Sequence, residues 1–176
     1  MKKLLLTCMA ALLGLSAAAQ TNFRPLSLDQ AVEQAKKENK LVFVDFYTDW
    51  CGPCRVMSRD VFPQKKVGDY FNARFVSIKL NAEKEGKADA ATYNVKAYPT
   101  FLVLDTDKKV KLDIKGSMSA DVFLSKIEAE LNPQLTPEKM KERYDGGERT
   151  PELVNAYAFH FMDSRNNIGN SNYHTL

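Results

Sequence analysis

The sequence predicts an α/β fold followed by a short all-helical segment. Segments with apolar residues at helical spacing alternate with short runs of β-branched and aromatic residues, in the order helix, strand, helix, strand, helix, strand, strand, helix. Beyond residue 132 this alternation gives way to two capped helix starts. Apolar residues make up 44% and charged residues 27% of the 176 residues, which is typical of a globular protein.

The elements of the α/β part are predicted in chain order from periodicity and turn residues. The first helix covers 28–39, because Ser27 and Gln30 form a capping box and apolar residues follow at helical spacing. The later elements are a helix at 52–61 that Phe62 and Pro63 interrupt, a helical piece carrying Val67, Tyr70 and Phe71, a strand at 74–80, a helix at 84–93, strands at 100–105 and 110–114, and a helix capped by Ser119. Apolar and polar residues alternate at 110–114, so this last strand is expected to be half-exposed and antiparallel.

The segment LVFVDFY at 41–47 is continuous, β-branched and aromatic, which indicates a strand buried on both faces. Asp45 interrupts it, on the face that also carries Phe43 and Tyr47, since side chains alternate along a strand. An unpaired carboxyl in a buried strand is costly, so Asp45 is a candidate functional residue. A structural aspartate bonded to the backbone is the alternative.

Two near-identical helix starts, TPE at 136–138 and at 150–152, each place Thr at the N-cap and Pro at the first helical position. They predict a helical hairpin at 137–163 within an extension at 133–163, followed by a polar, flexible tail at 164–176. The apolar side of the hairpin is expected to consist of Met140, Tyr144, Leu153, Tyr157 and Phe161. Such a pair also suggests a helical repeat, although stable repeat arrays usually need several units.

Residues 1–19 have the pattern of a secretory signal peptide: a short basic start, an uncharged apolar stretch and three alanines before Gln20. We therefore expect cleavage near Ala19/Gln20 and export to the periplasm. A membrane anchor would need a longer apolar span. A lipoprotein would need an acylated Cys8, which lies inside the apolar run.

Loss of this segment removes two lysines and Cys8, so the formal charge falls from +3 to +1. So small a charge gives no sign of a nucleic-acid partner. The mature chain then keeps only Cys51 and Cys54, which can pair with each other or with another molecule. Export would place them where disulfides persist.

The stretch DWCGPCR at 49–55 admits four interpretations. Attachment of a c-type haem needs His directly after the second cysteine, and the residue there is Arg55. A structural zinc site needs four ligands, and the histidines, His160 and His174, lie far along the chain. A structural disulfide is the third interpretation, but it would close a very small loop, and loop length governs the entropic gain. A redox-active dithiol is the interpretation that we favour, with no metal.

The placement of the cysteines favours redox chemistry. Cys51 falls where a buried strand passes into a helix, and the unpaired N–H groups at a helix start stabilise a thiolate. Cys51 is therefore expected to be the exposed nucleophile, and Cys54, one turn later, attacks the mixed disulfide. Pro53 suits the first helical turn. Trp50 offers a flat apolar surface for a substrate, unless it is a core residue.

Asp45 lies six residues before Cys51, in a strand that runs toward the cysteines. Burial would raise its pKa, and a nearby carboxyl can take the proton from Cys54 when that residue attacks as a thiolate. Lys79, near the end of the next strand, is a candidate to neutralise the charged carboxylate. The alternative for Lys79 is a solvated lysine at a strand end.

Three motifs together resemble thioredoxin: WCGPC at 50–54, the preceding VDF at 44–46, and YPT at 98–100. The resemblance covers about 28–131. It implies the thioredoxin fold, with a central mixed β-sheet flanked by helices, for a domain at 20–132. The C-terminal helical hairpin has no counterpart in that family's core.

The resemblance also implies a role for individual residues. In that family the nucleophile matches Cys51, the resolving cysteine Cys54, the buried proton acceptor Asp45 and its partner Lys79, and the two cysteines form the redox-active disulfide. The proline matching Pro99 is cis and lies against the cysteines. The substrate-contacting residues would be Trp50, Gly52, Pro53, Tyr98 and Pro99.

The stretch DFYTDWCGPCRVMSRDVF is also similar to the C-terminal thioredoxin-like domain of DsbD-type thiol:disulfide interchange proteins. This similarity implies a periplasmic reductant that acts on disulfide-bonded protein substrates and takes electrons from a membrane or periplasmic donor protein. No cofactor is implied, and we expect a monomer.

The residues between the cysteines, Gly52 and Pro53, favour reduction as the direction of exchange. Thioredoxin, which has the same pair, has a nucleophile pKa of about 7, whereas that of the oxidant DsbA is about 3.5. Their potentials differ by roughly 150 mV. The alternatives are a disulfide isomerase or oxidase, or a client-binding, chaperone-like module that uses the helical hairpin.

Overall fold

The computed structural model describes residues 20–158, apart from 133, 136, 152 and 155. Its regular elements are, in chain order, α1 (Leu28–Glu38), β1 (Leu41–Tyr47), α2 (Gly52–Val56), which continues as a π-helical turn (Met57–Val61), α3 (Lys65–Arg74), β2 (Phe75–Asn81), α4 (Lys87–Thr92), β3 (Thr100–Leu104), β4 (Val110–Lys115), α5 (Ala120–Leu131) and α6 (Pro137–Asp145). The expected signal peptide at 1–19, the tail at 164–176 and Phe161 lie outside the described residues.

The strands form one mixed sheet in the order β2-β1-β3-β4. β1 pairs in parallel with β2 and antiparallel with β3, and β3 and β4 form an antiparallel hairpin. This arrangement confirms the predicted mixed sheet with helices on its faces. The carboxyl ends of β1 and β2 lie at the same edge of the sheet, so the segments that follow them, including the cysteines, begin there.

Each face of the sheet covers its own apolar cluster, because side chains alternate along β1. Val42, Val44 and Phe46 pack with α1 on one face. Phe43 lies on the other face, among the buried rings of Phe62, Phe71, Phe101 and Phe123. Asp45 belongs to this second, aromatic face, as the alternation predicts.

Several element boundaries differ from those predicted. The helix expected at 84–93 starts only at Lys87, because the backbone N–H groups of Lys84 and Gly86 donate to the carbonyl of Asn81 and close a turn first. The helix expected at 52–61 widens after Val56 into the π-helical turn. The capping box of Ser27 and the cap at Ser119 are present as predicted.

Residues 20–26, for which the sequence predicts no element, lie along the outer edge of β2. Phe23 forms an isolated parallel bridge with Ser77, and the N–H of Arg24 donates to the Ser77 carbonyl at 2.8 Å. The guanidinium of Arg24 makes a two-pronged contact with Glu38 on α1. The hydrogen bonds from Arg24 hold the pKa of Glu38 well below its usual range. This segment is therefore fastened to the domain at both the sheet and α1.

Replacing Arg24 with alanine should destabilise the fold by about 1–2 kcal/mol, because a paired, charge-assisted contact on a partly buried carboxylate is lost. Lys36→Ala is the matched control, since Lys36 pairs with Glu33 on the exposed side of the same helix. It should change stability by about 0.5 kcal/mol or less. Urea unfolding at pH 7 measures both, and equal effects would show that the Arg24 contact does not fasten the segment.

The C-terminal extension has helices where the sequence predicts them. α6 ends at Asp145, and Gly147, with φ of 91°, follows in the left-handed region that a helix end favours. The described residues between 151 and 158 are helical, and the N–H of Leu153 donates to the Thr150 hydroxyl. Their buried residues form a cluster of their own: Leu135, Met140, Leu153 and Ala156, with Tyr157 against it.

None of the helices in the described part of the chain has the length and apolar character needed to cross a bilayer.

Candidate functional site

Cys51 and Cys54 form a disulfide at the start of α2. Cys51 is the N-cap residue of this helix, and the backbone N–H of Cys54 donates to its Sγ at 3.1 Å. Pro53 occupies the first helical turn, where its missing N–H costs no hydrogen bond. The backbone N–H of Cys54 would stabilise a thiolate on Cys51 when the disulfide is reduced.

The prediction that Cys51 is exposed is wrong for this disulfide form. Only 2% of Cys51 and 4% of Cys54 are accessible to solvent. The reason lies in the N-cap geometry, which turns the sulfur of Cys51 back over the first turn of the helix instead of outward.

Trp50 lies on the surface beside the disulfide and is 65% exposed, so it is not a core residue. Its indole N–H donates to both carboxylate oxygens of Glu83, at 3.0 and 3.1 Å. Its ring meets that of Tyr98 edge to face, with the ring centroids 5.9 Å apart. Glu83 was not identified from the sequence, because it is one of several charged residues after β2 and only the fold brings it to Trp50.

The bond between Tyr98 and Pro99 is cis, as the resemblance implies. Pro99 directly precedes β3, and its carbonyl accepts a hydrogen bond from the N–H of Gly116 at 2.8 Å. The Trp50–Tyr98 contact brings this segment alongside the cysteine helix. Among the described residues, the backbone of Tyr98 forms no hydrogen bond with other backbone groups.

Asp45 and Lys79 lie side by side on β1 and β2, at paired positions of the parallel ladder. Asp45 is 1% exposed, and the Nζ of Lys79 lies 3.0 Å from its Oδ2. The contact is an ion pair without hydrogen-bond geometry, so neither carboxyl oxygen accepts a hydrogen bond from the described residues. Burial raises the pKa of Asp45, and the positive charge of Lys79 opposes part of that rise.

Lys79 is surrounded by groups that suit an ammonium ion. Its Nζ donates to the hydroxyl of Ser58 at 2.5 Å. The ring centroids of Phe23, Tyr47 and Phe62 lie 5.2, 5.3 and 5.4 Å from it. Neither Ser58 nor Phe23 was identified from the sequence, since no local pattern links them to a lysine on a distant strand.

The structure thus brings together, at one end of the sheet, the disulfide, an exposed aromatic pair and a buried acid with its cation. In the part of the chain that the structure describes, no three His, Cys, Asp or Glu side chains are grouped as a metal site would require. The chemistry available to these residues is that of sulfur and of proton transfer.

A family model for a thioredoxin-like domain matches residues 28–130. Thioredoxin-T of Drosophila melanogaster is 31% identical over 135 residues, which span 67% of this chain and 82% of that protein. The solution structure of a candidate disulphide-isomerase from Bacteroides thetaiotaomicron is 39% identical, with a TM-score of 0.60, covering 65% of this chain and 96% of that one. The reduced C-terminal domain of Neisseria meningitidis DsbD is 31% identical with a TM-score of 0.49, covering 57% of this chain and 90% of that domain.

Other curated relatives share only part of their length with this chain. The match spans 53% of thioredoxin-2 from Pyricularia oryzae and 17% of a peptide-N(4)-(N-acetyl-beta-glucosaminyl)asparagine amidase from Caenorhabditis elegans. The extension beyond residue 130 lies outside the region that the family model matches.

Proposed function

The chain belongs to the thioredoxin-like family and is a thiol–disulfide oxidoreductase, and we propose that it works as an exported reductase of protein disulfides. The observation that carries this proposal is the Cys51–Cys54 disulfide at a helix start, at the end of the sheet that holds the buried Asp45–Lys79 pair. A disulfide that served only to stabilise the fold would need no buried acid nearby.

The proposed reaction exchanges one disulfide for another in two steps. The Cys51 thiolate attacks a sulfur of the substrate disulfide, a mixed disulfide forms, and one substrate sulfur leaves as a thiolate. Cys54 then loses its proton and attacks Cys51, which releases the second substrate sulfur. Two electrons pass to the substrate, which ends as a dithiol, while the protein is oxidised to the disulfide seen here.

Asp45 is proposed to accept the proton of Cys54 in the second step. Burial raises its pKa, and a carboxylate with a raised pKa is a stronger proton acceptor than an ordinary aspartate. Lys79 is proposed to lower the energetic cost of ionising the buried Asp45 carboxyl. Without a cation 3.0 Å away, ionising Asp45 would cost more.

The substrate is proposed to lie across Trp50, Gly52, Pro53, Tyr98 and Pro99. The exposed indole and the Tyr98 ring offer an apolar surface next to the disulfide. The backbone of Tyr98 forms no backbone hydrogen bond within the described residues, which supports pairing with an extended substrate segment. A disulfide-bonded, locally unfolded protein fits such a surface.

Export and the source of electrons are further parts of the proposal. The pattern of residues 1–19 supports a cleaved signal peptide and a periplasmic location. In an oxidising compartment a reductase needs continuous re-reduction, so a membrane or periplasmic donor protein is required. The extension at 133–163, with its separate apolar cluster, is proposed to be a unit that docks a partner or stabilises the domain.

Cys54→Ser should trap substrate on Cys51 as a mixed disulfide, because the residue that resolves the intermediate is absent. The measurement mixes the reduced variant with oxidised insulin and follows the adduct by mass spectrometry under non-reducing conditions. The wild-type protein should show adduct only transiently and should turn over insulin with dithiothreitol as electron donor. Failure of Cys54→Ser to accumulate any adduct would contradict the proposed order of attack.

Isomerisation is the second candidate, since the Bacteroides relative is described as a candidate disulphide-isomerase. Recovery of activity from scrambled ribonuclease distinguishes the two functions. A reductase should reduce the scrambled bonds without restoring native pairing efficiently. Recovery that persists in Cys54→Ser would favour isomerisation, because reshuffling needs only the first cysteine.

A further inference from the structure

We propose that Ser58 and Phe23 are positioning residues that hold the Lys79 ammonium against Oδ2 of Asp45. The inference rests on the proposed function, because it gives the Asp45–Lys79 pair its part in proton transfer. It goes further by assigning that pair's geometry to two residues outside the cysteine motif. One of them, Phe23, also precedes the region at 28–130 that the family model matches.

Lys79 needs to be held, because a lysine is a compact, strongly hydrated charge on a flexible stem. Its side chain is 27% exposed, so the ammonium could turn toward solvent and away from Asp45. The hydroxyl of Ser58 accepts a hydrogen bond from the Lys79 Nζ at 2.5 Å. The carboxylate lies 3.0 Å away on the other strand. Together these two contacts place the ammonium between the cysteine helix and β1.

The rings around Lys79 supply the rest of the holding energy. The faces of aromatic rings attract cations within about 6 Å of the ring centroid. Phe23, Tyr47 and Phe62 all lie within that distance. They replace water around the ammonium without offering it another anion.

Ser58 is aimed at Lys79 from the same helix that carries the cysteines. It lies four residues after Cys54, which puts both on one side of the helix. The helix widens at this point into the π-helical turn Met57–Val61, a feature that is often found at functional sites. Ser58 therefore links the cysteine helix to the acid–base pair through one hydrogen bond.

Phe23 reaches Lys79 from the fastened N-terminal segment. Its bridge to Ser77 sets it two residues from Lys79 along β2, on the same face of the sheet. Its ring also packs edge to face against Phe62, with the ring centroids 4.9 Å apart. The contact of Arg24 with Glu38 fixes the next residue, so the ring has little freedom to withdraw.

Two other ion pairs lie near the Asp45–Lys79 pair. Asp49 pairs with Lys84 at 2.7 Å, and Arg59 pairs with Asp60 on the π-helical turn. Of the neighbouring titratable groups, Tyr47 lies on β1 beside Lys79. Asp49, after β1, and Lys84 and Glu85, after β2, are the charged groups that act on Tyr47 together with Asp45. Within the described residues, Lys79 is the one cation in contact with Asp45.

The test measures the titration of the Asp45 carboxyl by ¹³C NMR in the full mature protein, with and without Lys79. Ser58→Ala and Phe23→Leu should each raise the titration midpoint by about 0.3–1 pH unit, because the cation is held less closely. They should also slow insulin reduction at pH 7 about two- to fivefold. Ser58→Thr, which keeps the hydroxyl, should restore the midpoint, and Ser125→Ala on α5 is the matched control.

The same two substitutions made in a Lys79→Met background show whether Ser58 and Phe23 affect Asp45 through Lys79. If Ser58 and Phe23 act through Lys79, neither should move the midpoint further once the ammonium is absent. Equal shifts in both backgrounds, or no shift in either, would overturn the proposal. If the wild-type protein does not reduce insulin at all, the proposed function is contradicted. The titration of Asp45 would still show whether Ser58 and Phe23 position the Lys79 ammonium.

Discussion

Cys51→Ser is expected to reduce the rate of insulin disulfide reduction to the uncatalysed background, a loss of about a thousandfold or more. Serine has nearly the same shape, so the helix start should remain intact. Its hydroxyl is not ionised at neutral pH and cannot form the mixed disulfide. Every later step depends on that bond, so Cys54 alone cannot sustain turnover.

The measurement follows insulin precipitation in the presence of dithiothreitol and subtracts the rate without protein. Arg59→Ser serves as the control, since Arg59 lies on the exposed side of the following turn, paired with Asp60. Its rate should match that of the wild type. Substantial turnover by Cys51→Ser would show that the disulfide is not the reacting group.

Asp45→Asn is expected to make the protein more stable relative to wild type as the pH rises, and to slow catalysis. Burial raises the pKa of Asp45 in the folded state above its value of about 3.9 in an unfolded chain. Its contribution to stability is therefore fully present below pH 3.9 or so and is lost as the pH rises through the folded pKa. Asparagine has no such titration.

The difference in unfolding free energy between Asp45→Asn and wild type should grow by about 1 kcal/mol or more from pH 4 to pH 9. Urea unfolding of the oxidised proteins at several pH values measures it. Asp49→Asn, which changes an exposed carboxylate paired with Lys84, is the matched control. Parallel curves for Asp45→Asn would contradict a raised pKa in the folded protein.

The same variant should slow the second step of the exchange by about tenfold to a hundredfold at pH 7, because Cys54 loses its proton acceptor. Stopped-flow tryptophan fluorescence can follow the step, since Trp50 is the only tryptophan in the chain and lies beside the disulfide. The formation of the mixed disulfide should be affected less. Equal slowing of both steps would argue against a role specific to Cys54.

The sequence predicted the parts of the site that depend on local order along the chain. A buried strand that passes directly into a helix puts Cys51 at a helix start. The strict alternation of side chains puts Asp45 on one face, and the next strand in the α/β order brings Lys79 alongside it, with the two aligned in the parallel ladder. These inferences needed only periodicity and the pairing of successive parallel strands.

The parts that were missed depend on contacts between distant segments. Phe23 comes from a segment without regular structure, and its place beside Lys79 follows from the bridge to Ser77. Ser58 faces Lys79 on a π-helical turn, whose wider winding is not marked by sequence periodicity. The burial of Cys51 follows from the direction of one side chain, which the residue types alone do not determine.

The central claim is that this protein reduces disulfides, and the redox potential of the Cys51–Cys54 pair tests it most directly. The mature protein is equilibrated with glutathione or dithiothreitol buffers, and the fraction of disulfide is read from the Trp50 fluorescence or by alkylation and mass spectrometry. We predict a value close to that of thioredoxin, about −270 mV. A value close to that of DsbA, about −120 mV, would contradict the account and identify the protein as an oxidant.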